Sequence, residues 1–202
     1  MFTRKNEFTL KHLWKHIKYE MVFAALVFAF FLVFAPTAQA KPFKGIDLTS
    51  NINYEKKLGL KKPIVAYFLS TGCPCSQAHF DHLNQLQKKY PQFDFIGFNS
   101  SKEVTQEDAR KFYSQYKIDF PILLDKELKY ANEYKAVKTP HVFIVGANGK
   151  TLFQGGATNS RDPGRASEFY LKDALASIST NTEVKVKDSK TVGCVIKRDS
   201  AF

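Results

Sequence analysis

The segment "PIVAYFLS", residues 63–70, runs without a break into "TGCPCSQAHF", and that junction constrains the fold more than any other feature of the chain. A continuous β-branched and aromatic run reads as a strand buried on both faces, as in a sheet covered by helices. Beyond the cysteines, Phe80, Leu83, Leu86 and Tyr90 recur at helical spacing, so residues 74–90 read as a helix. A strand passing through a tight turn into a helix is the repeating unit of layered α/β folds. Those folds gather their chemistry at the carboxyl ends of strands. Cys73 and Cys75 stand at such an end.

The alternation continues downstream. "NINYEKKLGLKK", residues 51–62, reads as a short helix and "FDFIGFN" as a second strand. "TQEDARKFYSQYK" reads as a helix with Thr105 as N-cap and Asp108 at the capping-box position. "FPILLD" is a short strand, "KELKYANEYK" a helix, and "HVFIV", "GANGK" and "TLFQGG" a hairpin. "SEFYLKDALASI" is the last helix, before a polar tail that holds Cys194. The pattern predicts an α/β fold with a central mixed sheet flanked by helices. The domain is expected over residues 41–180, with residues 181–202 as its tail.

Residues 1–40 read differently. Arg4, Lys5, Lys11, Lys15 and Lys18 precede an apolar run, "MVFAALVFAFFLVFA" at 21–35, and then Ala38 and Ala40. That is the layout of a signal peptide cleaved after Ala40, or of an uncleaved anchor, since the run is short of the roughly 20 residues of a full span. Either way the remainder is exported, to the periplasm or the periplasmic face of the inner membrane, and only this N-terminal segment meets the membrane. The chain's formal charge is +11, of which the leader supplies +3. The remaining excess is dispersed, which argues for a solvated basic surface and against nucleic-acid binding.

Export makes the three cysteines of the chain informative, because disulfides persist in oxidising compartments. Three are too few for a disulfide-stapled scaffold. At a helix N-terminus, unpaired N–H groups and the helix dipole favour the thiolate of Cys73. Pro74 suits the first helical turn and Gly72 the sharp approach to it. A Cys73–Cys75 disulfide closes a ring of about eleven atoms, near the short limit of permitted Cα separations, and strained disulfides are better oxidants. The residues alone leave three readings: a redox couple, two metal ligands, or two small core thiols.

"VAYFLSTGCPCSQAHFDHL" resembles the active-site turn of thioredoxin-fold proteins, and the chain resembles the peroxiredoxin-like branch of the redoxin superfamily. Three segments carry the resemblance: Phe68 to Cys73 before a helix, "VKTPHVFIV" with Thr139 and Pro140, and "GCVIKR" at 193–198. "LFQGGATNSRDPGR" before the last helix is similar too. The resemblance implies a thiol–disulfide oxidoreductase in which Cys73 attacks and Cys75 resolves the mixed disulfide. It implies supporting roles for Ser70 and Pro74, and a cis peptide at Thr139–Pro140 whose backbone holds a partner's chain as an added strand. Peroxidases of the family carry a proline where this chain has Ala66, and an arginine that only Arg161 or Arg165 could replace. Dithiol exchange with proteins is therefore expected ahead of peroxide reduction.

A second alternative is copper handling by the cysteine pair with His141, since soft thiolates suit Cu(I). The tighter Cys-Pro-Cys spacing sets it behind, and neither a resident metal nor another cofactor is expected. His79 and His82 read as structural. Cys194 is either a small hydrophobe seating "VGCVI", with Val192, Val195 and Ile196 as anchors, or a third exchanging thiol. The expected partners are protein thiols or disulfides, or a membrane electron donor.

Overall fold

The computed structural model describes Trp14, Met21 and residues 42–56 and 62–198. Trp14 and Met21 fall in a separate unit, Met1–Ala38. The leader, its apolar run and the cleavage after Ala40 otherwise lie outside the described residues. Among the described residues no helix is long and apolar enough to cross a membrane.

The central sheet grows from β3 (Ile64–Leu69), the strand that runs into the cysteines. Its side chains alternate between two cores, as a period of two requires. Val65, Tyr67 and Leu69 enter one core; Ile64, Ala66 and Phe68 enter the other. β4 (Asp94–Asn99) and β7 (His141–Val145) flank β3, parallel and antiparallel respectively. β5 (Ile122–Leu124) extends the sheet beyond β4, and β8 (Thr151–Gly155) beyond β7. The order β5-β4-β3-β7-β8 is the expected mixed sheet.

Helices cover both faces. α1 (Pro74–Ala78) follows the cysteine turn, and α2 (Phe80–Lys89) packs Phe80, Leu83 and Leu86 into the first core. α3 (Gln106–Tyr113) and α5 (Tyr170–Ser179) join that face through Tyr113, Leu171 and Leu175. On the other face, α4 (Lys129–Glu133) contributes Tyr130 and Ala131, and Phe43 and Ile196 complete the core. At the start of α3, the Thr105 hydroxyl accepts from the Asp108 N–H at 3.1 Å and donates to its carboxylate at 2.7 Å.

Several element expectations need correction. Residues 53–56 are not helical: β2 (Asn53–Lys56) pairs antiparallel with β1 (Phe43–Ile46) in a hairpin. Asp47 decides this, because its carboxylate accepts from Thr49 N–H, Thr49 Oγ1 and Ser50 Oγ and folds the loop back. The helix expected over 74–90 is two helices, broken at His79. The helix expected over "KELKYANEYK" is interrupted at Glu127 and Leu128, both at positive φ, and restarts as α4. Asp125 restarts it by accepting from the Tyr130 and Ala131 N–H groups at 2.7 and 2.9 Å.

The tail is docked, not loose. Ser189 N–H donates to Gln154 O of β8 at 3.0 Å, and Gln154 N–H donates to Lys187 O at 2.9 Å. Gly155 (φ +137°) permits this, since a Cβ there would meet Ser189 N at 2.8 Å. The tail ends in β9 (Cys194–Val195), antiparallel to β6 (Lys138–Thr139). Of the three expected apolar anchors only Ile196 is buried, at 4 % exposure; Val192 is half-buried and Val195 is 70 % exposed. A short strand has two faces, and Val195 falls on the outer one.

Candidate active site

β3 ends at Leu69, and residues 70–72 turn the chain into α1. Ser70 organises that turn: its hydroxyl accepts from Gly72 N–H at 3.3 Å and its carbonyl from Cys73 N–H at 3.1 Å. Its own N–H donates to Ser76 Oγ at 3.3 Å. Cys73 becomes the extended N-cap residue of α1, with Pro74 in the first turn. Cys73 thus stands at the helix N-terminus and Pro74 in its first turn, where the sequence places them.

The second side of the site is the Thr139–Pro140 peptide, which is cis. Cys73 Sγ lies 2.9 Å from Thr139 O, to which the thiol donates. β9 sets Cys194 opposite Thr139 in register. The Sγ atoms of Cys73, Cys75 and Cys194 all lie within 4.8 Å of one another. The fold therefore joins thiols that are distant in sequence. It also fills the strand edge at Thr139, which the resemblance reserves for a partner's chain, with the protein's own tail.

The three thiols differ in proton affinity. Burial pushes Cys73 up, but hydrogen bonds from the Cys194 thiol, the Thr139 side chain and Ser76 outweigh it and bring the thiol down to about 7. Burial and the neighbouring Cys73 raise Cys75. Burial and donation to Cys73 push Cys194 up to about 12. Of the three sulfurs, Cys73 therefore carries a negative charge most readily, with Cys194 as a donor to it.

Some contributors escape a sequence reading. Ser76, fully buried one turn into α1, supports the Cys73 thiolate through both backbone and side chain. Asn99, at the end of β4, accepts from Thr71 N–H at 3.2 Å and Tyr113 OH at 3.0 Å, tying the cysteine turn to the core. The buried Tyr67 hydroxyl has no hydrogen-bond partner among the described residues, and burial and then the charge of Cys73 push its pKa up. Only Ser76 carried a signal, a hydroxyl in the first helical turn.

Burial lowers the pKa of each of the three described histidines. His79 Nδ1 lies 2.7 Å from Cys75 O, and burial lowers its pKa. Burial likewise lowers His82 to about 4. His141 Nδ1 accepts from Val137 N–H at 3.3 Å, and burial holds its imidazole at about 4. Among the described residues, the group competent to hold a metal is the three cysteines, without His141. Arg161 comes close enough for its charge to favour the Cys75 thiolate, whereas Arg165 faces Asp162 on the exterior.

Residues 61–151 match the thioredoxin-like family model. The chain has a thioredoxin-like fold. It is similar to the thiol-disulfide oxidoreductase ResA of Bacillus cereus, 26 % identical over 101 residues, covering 48 % of this chain and 58 % of the relative. ResA of Bacillus anthracis is 26 % identical over 103 residues, covering 49 % and 60 %. The chain thus spans less than two thirds of the length of the curated relatives it matches.

Solved structures agree on the thioredoxin fold. An uncharacterized conserved protein from Geobacillus kaustophilus superposes with a TM-score of 0.71 at 22 % identity, covering 82 % of this chain and 93 % of that one. A secreted Mycobacterium tuberculosis disulfide oxidoreductase homologous to E. coli DsbE gives 0.52 at 22 %, covering 67 % and 95 %.

Proposed function

We propose that this thioredoxin-fold protein is an exported thiol–disulfide oxidoreductase of the redoxin superfamily, acting on protein thiols and disulfides through Cys73. The observation that carries the proposal is the convergence of three sulfurs at a strand end, with only Cys73 held near a pKa of 7. Cys73, as thiolate, attacks a substrate disulfide and Cys75 resolves the mixed disulfide. Ser70 positions the nucleophile, and Ser76 and Thr139 stabilise its charge. The names of the ResA relatives and the secreted M. tuberculosis structure support the activity and, with the basic-then-apolar leader, the compartment. An electron donor at the membrane is part of the same reading.

The test is turnover of insulin disulfides with dithiothreitol as reductant. Activity above the uncatalysed rate, abolished by Cys73→Ser, is expected; wild-type protein no faster than reductant alone would sink the proposal. Cu(I) handling is a second reading, favoured by the sulfur trio within 4.8 Å. Peroxidase activity is a third, favoured by the reach of Arg161 to Cys75. Cu(I) competition against a chelator and hydroperoxide consumption separate these from disulfide exchange.

A further inference from the structure

The third thiol is built into the site by main-chain pairing. Ile196 N–H donates to Val137 O at 3.1 Å, Lys138 Nζ to Thr191 O at 3.2 Å, and β9 holds Cys194 opposite Thr139. Gly193 lets the strand approach: a Cβ there would stand 2.8 Å from Thr139 C and 3.1 Å from Pro140 Cδ, and closer still to Thr139 O. Arg198 locks the end by donating to Asn132 Oδ1 and to the carbonyls of Ala131 and Ala136.

Exposure runs opposite to nucleophilicity. Cys73 is 1 % exposed and Cys75 9 %, whereas Cys194 is only half-buried. A cavity of about 260 Å³ opens beside Ser70, Gly72, Ser101 and Thr139, and its lining includes Cys194 but neither Cys73 nor Cys75. Glu103 and Lys197, bridged at 3.6 Å, also line it. An outside sulfur approaching through this cavity meets Cys194 first.

We propose that Cys194 is the thiol that takes the disulfide from the Cys73–Cys75 couple and presents it, as a Cys73–Cys194 bond, to an external dithiol reductant. This rests on the proposed exchange chemistry and assigns that chemistry an electron-donor side. After substrate reduction leaves Cys73–Cys75, Cys194 gives up its proton and attacks Cys73 Sγ as thiolate. A Cys73–Cys194 bond forms, the Cys73–Cys75 bond breaks, and Cys75 leaves as thiolate and takes up the proton that Cys194 released.

A donor thiolate then attacks the half-buried Cys194 Sγ from the cavity, and the electron pair of the broken bond passes to Cys73. The donor's second thiol, having lost its proton to water, attacks the donor sulfur and releases Cys194, which is reprotonated. Two donor thiols are oxidised to a disulfide, and Cys73 and Cys194 are reduced. Attack at Cys194 is favoured twice: that sulfur is accessible, and the thiol expelled is the one held near 7, the better leaving group.

Trypsin separates the partners, since Cys73 and Cys75 share one peptide while cleavage after Lys190 and Lys197 isolates Cys194. In the full chain oxidised with oxidised glutathione, the cross-linked two-peptide species is expected to predominate. In Cys75→Ala, which retains the Cys73–Cys194 bond, limiting reduced glutathione and acid quenching should leave glutathione on the Cys194 peptide. A protein that turns over insulin but oxidises only to Cys73–Cys75, or that carries glutathione on Cys73, overturns the inference and leaves the proposed function standing. The Cys73–Cys194 bond without insulin turnover would instead sink the proposed function.

Discussion

Gly193→Ala perturbs the site without touching a sulfur. The added Cβ meets the carbonyl carbon of Thr139 at 2.8 Å and Pro140 Cδ at 3.1 Å, and no side-chain rotation relieves a backbone clash. β9 must lift from β6. The loss is capped by the free energy of docking this end of the tail, because detachment removes the clash. Ile196 contributes about 1.5–3 kcal/mol as a fully buried aliphatic side chain. The Arg198 and backbone hydrogen bonds add roughly 1–2 kcal/mol, given their partial exposure. The ceiling is then about 3–5 kcal/mol, a fall in Tm on the order of 10 °C for a domain of this size.

The same substitution removes Cys194 from Cys73. Cys194 is the foremost of the hydrogen-bonding partners that lower Cys73, so Cys73 should rise from about 7 toward the ordinary 9. The assay is the pH profile of iodoacetamide alkylation, located by peptide mass. Two changes are expected: a higher midpoint, because the thiolate has lost a donor, and a faster plateau, because β9 no longer covers the sulfur. A Gly193→Ala protein whose Tm and alkylation midpoint both coincide with wild type would refute the claim that the tail holds the site together.

Other outcomes follow from the same geometry. In wild type, Cys73 alkylation should be half-maximal near pH 7, falling about tenfold per pH unit below it as the thiolate protonates. Cys194→Ala should move that midpoint up, and an unchanged midpoint would mean that Ser76 and Thr139 suffice. Cys75→Ser combined with Cys194→Ala should accumulate mixed disulfides with protein substrates on Cys73; trapping on Cys75 in Cys73→Ser combined with Cys194→Ala would reverse the two roles. Any Cu(I) retained against a competing chelator should survive His141→Ala, because that ring is engaged by Val137 N–H, and its loss would restore the cysteine-plus-histidine reading. N-terminal sequencing of the exported protein should begin at Lys41, while an intact leader in the membrane fraction would make it an anchor.

The fold was legible where burial alone decides conformation. β3 is apolar at every position because it feeds two cores, and no helix of six residues explains that run as well. The hairpin of β7 and β8 was legible from its glycine turn. What escaped were elements set by single polar contacts. Asp47 turns a basic, apparently helical stretch into β2, and Asp125 restarts a helix after two left-handed residues. Propensity scores such segments by composition, whereas one carboxylate accepting several donors overrides it.

The site was legible in its first half and not in its second. Strand, turn and proline place Cys73 at a helix N-cap by local geometry alone, so a sequence suffices. Cys194 reaches it only by pairing with Thr139, and a two-residue strand has no periodicity to read. The glycines were the usable signal. Gly155 and Gly193 stand where tail backbone meets sheet backbone too closely for any Cβ. A polar tail that merely trailed from the domain would have no use for such contacts. Their presence argues that the tail is seated for a reason beyond its apolar content, which amounts to little more than Val184 and Ile196. So slight an apolar anchor, held against a strand edge that fits a sulfur beside Cys73, is better suited to a segment that takes part in exchange than to one that only covers the core.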